Sequence, residues 1–167
     1  IDPSRIHYLA EKPERDPGRV QGGSRREQVE ETLMGLAESA GADDRILVVL
    51  IGHGSFDEDV AKFNLPGPDL TPQALDVMLN DFPTQTVAVV NTSPSSGPFV
   101  SVLSGPNRVI MTATRTAQER NETQFGGFFI EAMREEGSDL DKDGRISLLE
   151  AFQYARSEVD RYYGSLN

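Results

Sequence analysis

The stretch Ile46-Leu47-Val48-Val49-Leu50-Ile51-Gly52-His53-Gly54 decides the fold of this chain. Its first six residues are all apolar, and such a run predicts a strand that is buried on both faces. Two later runs, 86–90 and 108–113, have the same mainly apolar character. Helical patterns lie between these runs, so we expect an α/β fold with a mainly parallel sheet and helices on both of its faces.

The predicted helices are segments in which apolar residues recur at helical spacing. The first covers 25–40, and Ser24 followed by Glu27 forms a capping-box pattern at its start. The others are predicted, in chain order, after Thr71, around 99–103, at 125–134 and at 148–162. A short strand is predicted at 5–9 within a loop-like N-terminal segment, and the whole chain, 1–167, is expected to form one domain.

The composition excludes several classes of function. The chain has 27 acidic and 16 basic side chains, a net charge of −11, which disfavours nucleic acids and anionic membrane surfaces as partners. No apolar run approaches the roughly 20 residues that a membrane-spanning helix needs, so direct membrane insertion is not expected. The chain contains no cysteine, which excludes disulfides, thiolate metal sites and thiol catalysis. This composition assigns no compartment and is compatible with an extracytoplasmic location.

Polar turns follow two of the predicted strands at their carboxyl ends. His53 comes soon after the strand at 46–51, and Ser93 and Ser95 lie in the turn after the strand at 86–90. In parallel sheets, ligands and catalytic groups collect at this end of the strands. These three residues are therefore the candidate catalytic positions.

The motifs around these positions resemble those of the legumain-like cysteine peptidases. The resemblance extends from about Ile6 to Tyr163, and it is carried by the segments 51–55, 63–70, 96–97, 112–115 and 121–125. It implies a caspase-like fold, a three-layer α/β/α sandwich, in which His53 matches the general base and the turn at 93–97 matches the segment that bears the nucleophile. The family's cysteine is absent from this chain, and Ser93 or Ser95 stands near its place.

Two functions follow from this resemblance. The first is that of a pseudo-peptidase, a non-catalytic domain that binds a peptide or protein partner as part of a larger protein or assembly. The alternative is a serine-dependent hydrolase or peptidase of the same fold, in which His53 activates Ser93 or Ser95 and main-chain N–H groups around Gly54 and the Ser93 turn form an oxyanion hole. A serine hydroxyl is a weak nucleophile unless it is activated, so the first function is favoured.

The caspase-like order also implies a further strand between those at 5–9 and 46–51, and the sequence from Ile1 onward offers no candidate for it. We therefore expect an upstream fragment of the same protein, or another chain, to supply this strand, since unpaired sheet edges waste main-chain hydrogen bonds. Direct pairing of 5–9 with 46–51 would contradict this expectation.

An acidic segment, 139–150, matches the twelve-residue EF-hand calcium loop at its diagnostic positions, with Gly144 at the sharp turn. The predicted ligands are the side chains of Asp139, Asp141, Asp143 and Glu150, the main-chain carbonyl of Arg145 and, directly or through water, Ser147. The predicted cofactor is one structural calcium ion, because a lone hand lacks the partner hand of a sensor. The alternatives are an acidic helix corner without an ion and a calcium-responsive interaction domain.

Overall fold

The computed structural model describes residues 2–121 and 123–165. The strands are β1 (Leu9–Ala10), β2 (Gly22–Gly23), β3 (Arg45–Leu50), β4 (Gly54–Asp57), β5 (Val60–Phe63), β6 (Thr86–Asn91) and β7 (Arg108–Thr112). The helices are α1 (Arg26–Ser39), α2 (Pro72–Leu79), α3 (Pro98–Leu103), α4 (Phe125–Ala132) and α5 (Leu148–Gly164). Short 3-10 turns lie at Pro3–Arg5, Pro13–Arg15 and Glu136–Ser138. None of the described helices combines the length and apolar character needed to cross a membrane.

The central sheet consists of three parallel strands in the order β3-β6-β7. Val89 in the middle strand pairs with Val48 on one side and with Ile110 on the other. Two small ladders accompany this sheet: β1 pairs with β2 in parallel, and β4 pairs with β5 as an antiparallel hairpin. The prediction of an α/β fold with a mainly parallel sheet is therefore confirmed.

Helices pack on both faces of the central sheet. On one face, α1, α2 and α3 share a core with Val87 and Val89 of the middle strand. On the other face, α4 and α5 share a second core with Val90 and Met111. Neighbouring residues of one strand belong to different cores because successive side chains point to opposite faces. This arrangement is compatible with a three-layer sandwich.

The predicted helices are present, with shifts of a few residues at their ends. The first begins at Arg26, where the side-chain oxygen of Gln28 accepts a hydrogen bond from the main-chain N–H of Arg25 at 3.0 Å. The capping box predicted for Ser24 and Glu27 is wrong by one residue, because Gln28 supplies the acceptor that the glutamate was expected to supply.

The strand predicted at 5–9 is mostly wrong. Pro3–Arg5 forms a 3-10 turn, and only Leu9–Ala10 forms a ladder, with Gly22–Gly23 as its partner. The main chain between them is held by the side chain of Gln21, which both accepts and donates hydrogen bonds there. Within residues 2–121 and 123–165 this segment forms no ladder with β3, so the strand expected between the two stays a prediction.

The burial of β3 also differs from the prediction. Leu47 and Val49 are 45% and 41% exposed, although a strand covered on both faces was expected. The reason is position: β3 lies at an edge of the sheet, and the core around α4 and α5 draws its strand residues from β6 and β7. The middle strand β6, in contrast, is buried from Val87 to Asn91, as predicted.

Candidate functional site

The turns after β3 and β6 lie against each other at the carboxyl end of the sheet. The main-chain N–H and the hydroxyl of Thr92 both donate to the carbonyl oxygen of Leu50 at 3.0 Å, which ties the two strand ends together. Gly54 then packs on the serine turn so closely that a Cβ atom there would lie 2.6 Å from Oγ of Ser93. The approach of the two turns is therefore tight enough to require glycine.

Ser93 is fully buried and its hydroxyl is committed to a neighbour. Its Oγ donates to Oδ1 of Asn91 at 2.7 Å, and its main-chain N–H donates to the same oxygen at 3.0 Å. An amide oxygen does not act as a general base at neutral pH, and a serine nucleophile needs a base within hydrogen-bond reach. Among the described residues, Ser93 forms no hydrogen bond with the imidazole of His53. The hydroxyl therefore stabilises the turn and is not activated.

Ser95 occupies the least usual backbone position of the turn. Its φ of 55° lies in the left-handed region, which non-glycine residues visit at a cost. Its N–H donates to the carbonyl oxygen of Glu119 at 2.9 Å, while its buried Oγ has no hydrogen-bond partner in the described part of the chain. The next residue, Ser96, has its hydroxyl 3.2 Å from that of Thr114. These contacts fix the turn to the segment after β7.

His53 is exposed and lies just before a hairpin that the sequence did not predict. Its carbonyl oxygen accepts a hydrogen bond from the N–H of Asn64 at 2.9 Å, which closes the hairpin β4–β5 beneath it. The two turn residues, Glu58 and Asp59, have φ values of 49° and 63°. Positive φ at both positions is typical of a two-residue hairpin turn, but the residues that signal it are usually asparagine and glycine. Polar and apolar residues alternate only at 55–57 and 61–63, so the sequence signal for this hairpin was weak.

None of the candidate catalytic residues lines the cleft that lies beside β7. A cleft of about 360 Å³ lies beside β7, where Gly97, Arg115 and Phe152 contribute to its wall. None of His53, Ser93 and Ser95 is among its lining residues. The strand ends bring the three residues to one end of the sheet, but the local contacts bury both serines and leave the histidine outside.

The acidic loop brings three aspartates together. Asp139, Asp141 and Asp143 each offer a carboxylate oxygen, and these oxygens lie within 4.8 Å of one another, so the group could hold a metal ion. The loop is shaped by positive φ at Lys142 and Gly144, of 59° and 80°. The carboxylate of Asp139 accepts hydrogen bonds from the N–H groups of Asp143 at 3.1 Å and Gly144 at 2.9 Å. The loop is therefore folded around its first aspartate.

Glu150 is not part of this group of three, and hydrogen bonds tie its carboxylate to both ends of the loop. Oε2 accepts from the N–H and the hydroxyl of Ser147, both at 2.8 Å, and Oε1 accepts from the N–H of Leu140 at 2.8 Å. These bonds, above all the one from the Ser147 N–H, lower the pKa of Glu150 from 4.5 to about 2. Ser147 also caps α5, so Glu150 and Ser147 form a reciprocal capping box. Of the predicted ligands, the structure groups the three aspartates and uses Glu150 as a brace across the loop.

Comparison with known proteins adds no family assignment. No family model matches the chain, and no curated protein matches it in sequence. The resemblance to legumain-like peptidases thus rests on the motifs of the chain itself, and the α/β architecture is what the structure establishes.

Proposed function

We propose that this chain is a pseudo-peptidase, a non-catalytic domain with a caspase-like fold that binds a protein or peptide partner. The observation that carries this proposal is the state of Ser93: its hydroxyl is buried and donates to an amide oxygen. With no cysteine in the chain and no base hydrogen-bonded to Ser93 or Ser95 among the described residues, neither candidate serine is activated as a nucleophile. The peptidase-like motifs then serve recognition or structure, in a larger protein or assembly.

One observation favours the alternative, a serine-dependent hydrolase. Ser95 combines a left-handed backbone with an unpartnered, buried hydroxyl, and backbone strain is common at catalytic positions. Its burial argues against this role, because Ser95 is only 1% exposed and a substrate carbonyl must reach the nucleophile. The pseudo-peptidase is the better supported of the two functions.

A fluorophosphonate probe and a panel of peptides containing Asn or Asp test this proposal directly. The purified chain should show neither labelling nor cleavage, because neither Ser93 nor Ser95 is hydrogen-bonded to a base in the described part of the chain. His53→Ala is the matched variant, since it removes the candidate base from an exposed position. Labelling of Ser93 or Ser95 that disappears in His53→Ala would overturn the proposal in favour of the hydrolase.

The acidic loop supports a second part of the proposal, a structural calcium ion. Asp139, Asp141 and Asp143 provide three of the oxygen ligands that calcium prefers, and the remaining ones would come from the carbonyl of Arg145 and from Glu150, with Ser147 close by. Glu150 would exchange its hydrogen bonds from the loop for the ion. A partner affinity that rises with calcium would instead indicate a calcium-responsive interaction domain.

A further inference from the structure

The outer edge of β7 forms the floor of the cleft of about 360 Å³ beside this strand. The N–H of Ala113 donates to the carbonyl oxygen of Asn91, so the odd-numbered residues of this stretch turn their main-chain groups towards β6. Alternate residues of a strand face opposite neighbours, so the N–H and C=O groups of Ile110 and Thr112 point outward. Both residues line the cleft, and within the described ranges no strand pairs with this side of β7.

The walls of this cleft are mainly apolar. The helices α3 and α5 belong to the cores on opposite faces of the sheet, so Val100 of α3 and Phe152 of α5 line the cleft from its two sides. Met111 of β7 lies between them, and Val100 is 40% exposed. A mainly apolar lining with a few polar groups, at this volume, is typical of a ligand site. The cleft is therefore suited to an apolar side chain whose main chain lies along β7.

Arg115 is the only charged residue among the described residues that line the cleft. Its guanidinium forms no ion pair and no hydrogen bond within the described part of the chain. The carboxylate of Glu119 accepts instead from the main-chain N–H groups of Arg115 and Thr116, at 2.9 Å and 2.7 Å. A free guanidinium binds a carboxylate through two parallel, charge-assisted hydrogen bonds. The end of the cleft at Arg115 is therefore suited to a ligand carboxylate.

We propose that this cleft binds the C-terminal end of an extended peptide from a partner protein, with its last, apolar side chain between Val100 and Phe152 and its free carboxylate on Arg115. This inference rests on the proposed binding function and names its site and its ligand. Arg115 follows the carboxyl end of β7, so the bound peptide runs parallel to β7 and its main chain pairs with the outward groups of that strand. The free carboxylate distinguishes a chain end from an internal segment, whose main chain carries no charge. The net charge of −11 favours this single negative charge over a polyanion.

The probe is a synthetic peptide of about six residues, alternating threonine and valine and ending in leucine, with a fluorophore at its N-terminus. Fluorescence anisotropy measures its binding to the full chain. The same peptide ending in a carboxamide should bind about tenfold more weakly or worse, because it cannot form the charge-assisted hydrogen bonds. A peptide ending in serine should also bind more weakly, because it leaves the apolar walls uncovered. On binding of the leucine peptide, amide hydrogen exchange at Ile110 and Thr112 should slow by about tenfold.

Variants of the chain separate this site from a general effect of charge. Arg115→Gln should weaken binding of the carboxylate peptide by about tenfold and leave binding of the carboxamide peptide unchanged, whereas Arg115→Lys should restore part of the loss. Arg120→Gln is the matched control, because Arg120 is an exposed arginine in the same segment that does not line the cleft. Val100→Ser removes apolar contact from an exposed wall position and should weaken binding of both peptides.

Four results would overturn the inference: no binding of the carboxylate peptide, equal binding of the carboxamide peptide, equal losses in Arg115→Gln and Arg120→Gln, or N-acetyl-leucine that binds as tightly as the peptide. The last would show that the cleft takes a small apolar carboxylate and not a chain end. Each of these results would leave the proposed function standing, because a partner could bind elsewhere on the domain. Labelling of Ser93 or Ser95 that disappears in His53→Ala would instead remove the function itself.

Discussion

Replacing Gly54 by alanine should destabilise the fold, because Gly54 lies directly against the turn that carries the candidate serines. A Cβ atom at this position would lie 2.6 Å from Oγ of Ser93 and would also meet the main-chain oxygen of Pro94. Neither neighbour can yield easily, since Ser93 is buried and bonded to Asn91 and the other contact is main chain. Overpacking typically costs about 1–3 kcal/mol, and a clash with main chain places Gly54→Ala near the upper end, at about 3 kcal/mol.

This loss is large enough to measure without ambiguity. For a chain of this length each kcal/mol lowers the melting temperature by about 2–4 °C, so a fall of roughly 6–12 °C is expected. Gly127→Ala is the matched control, because the same change in α4 meets no atom within 4 Å. Alanine is favoured over glycine within a helix by roughly 0.5–1 kcal/mol, so this control should be more stable than the native chain.

The free energy of unfolding of both variants is measured by urea unfolding followed by far-UV circular dichroism. An unchanged m-value shows that the substitution changed stability alone. The refuting result is a loss below about 1 kcal/mol for Gly54→Ala, which would mean that the two turns are not packed as described. Since the burial of Ser93 carries the proposed function, that result would also reopen the hydrolase alternative.

Three further predictions concern the acidic loop and the packing of β7. Calcium at 100 times its dissociation constant should stabilise the native chain by about 2.7 kcal/mol, and magnesium should stabilise it less. The melting temperature is measured by calorimetry. A melting temperature that calcium leaves unchanged would mean that the acidic loop is a helix corner without an ion. Because the pKa of Glu150 is lowered to about 2, its contribution to stability is present above about 4.5 and is lost as the pH falls through about 2. Glu150→Gln should flatten this part of the acid unfolding curve, and an equally steep curve would contradict the assignment. Arg108→Ala should cost about 2 kcal/mol, because its largely buried guanidinium pairs with Asp76; Arg5→Ala, which breaks an exposed pair, should cost under about 1 kcal/mol, and equal losses would contradict this.

The elements that were predicted correctly are those with a clear local pattern of apolar residues. β6 carries an uninterrupted apolar run and is buried on both faces, so its composition and its position agree. α5 has both a helical apolar pattern and a serine cap, and it begins at Leu148, as predicted. The local pattern is sufficient in these cases because neighbouring elements bury the residues that the pattern marks as apolar.

The elements that the sequence missed depend on contacts that no local pattern reports. The hairpin β4–β5 turns through Glu58 and Asp59, neither of which is a usual residue for positive φ. The strand predicted at 5–9 had strand-like residues, but Gln21 holds that main chain in another conformation. The outcome at 5–9 was set by a side chain thirteen or more residues away, and that at 54–63 by a turn conformation that its residue types do not signal.

The candidate site shows the same division between spacing and geometry. His53 and Ser93 follow the neighbouring parallel strands β3 and β6, so their turns lie at the same end of the sheet. Sequence spacing does not predict that Ser93 donates a hydrogen bond to Asn91. It also does not predict that Glu150 accepts hydrogen bonds from Ser147 and Leu140 across the acidic loop. A motif predicts which residue types lie near one another. The packing around each side chain determines which hydrogen bonds it donates or accepts.

The contrast between β3 and β6 shows what the edge of the sheet lacks. Both strands are six residues long and mainly apolar, and they pair with each other in one ladder. β6 has a second strand beside it and is buried from Val87 to Asn91, whereas β3 has none in the described residues and leaves Leu47 and Val49 exposed. β3 begins with the exposed Arg45, and the rest of the strand has no charge or proline that would discourage pairing with another strand. The further strand expected from the sequence beside β3 stays a prediction; it would give β3 the two neighbours that β6 already has.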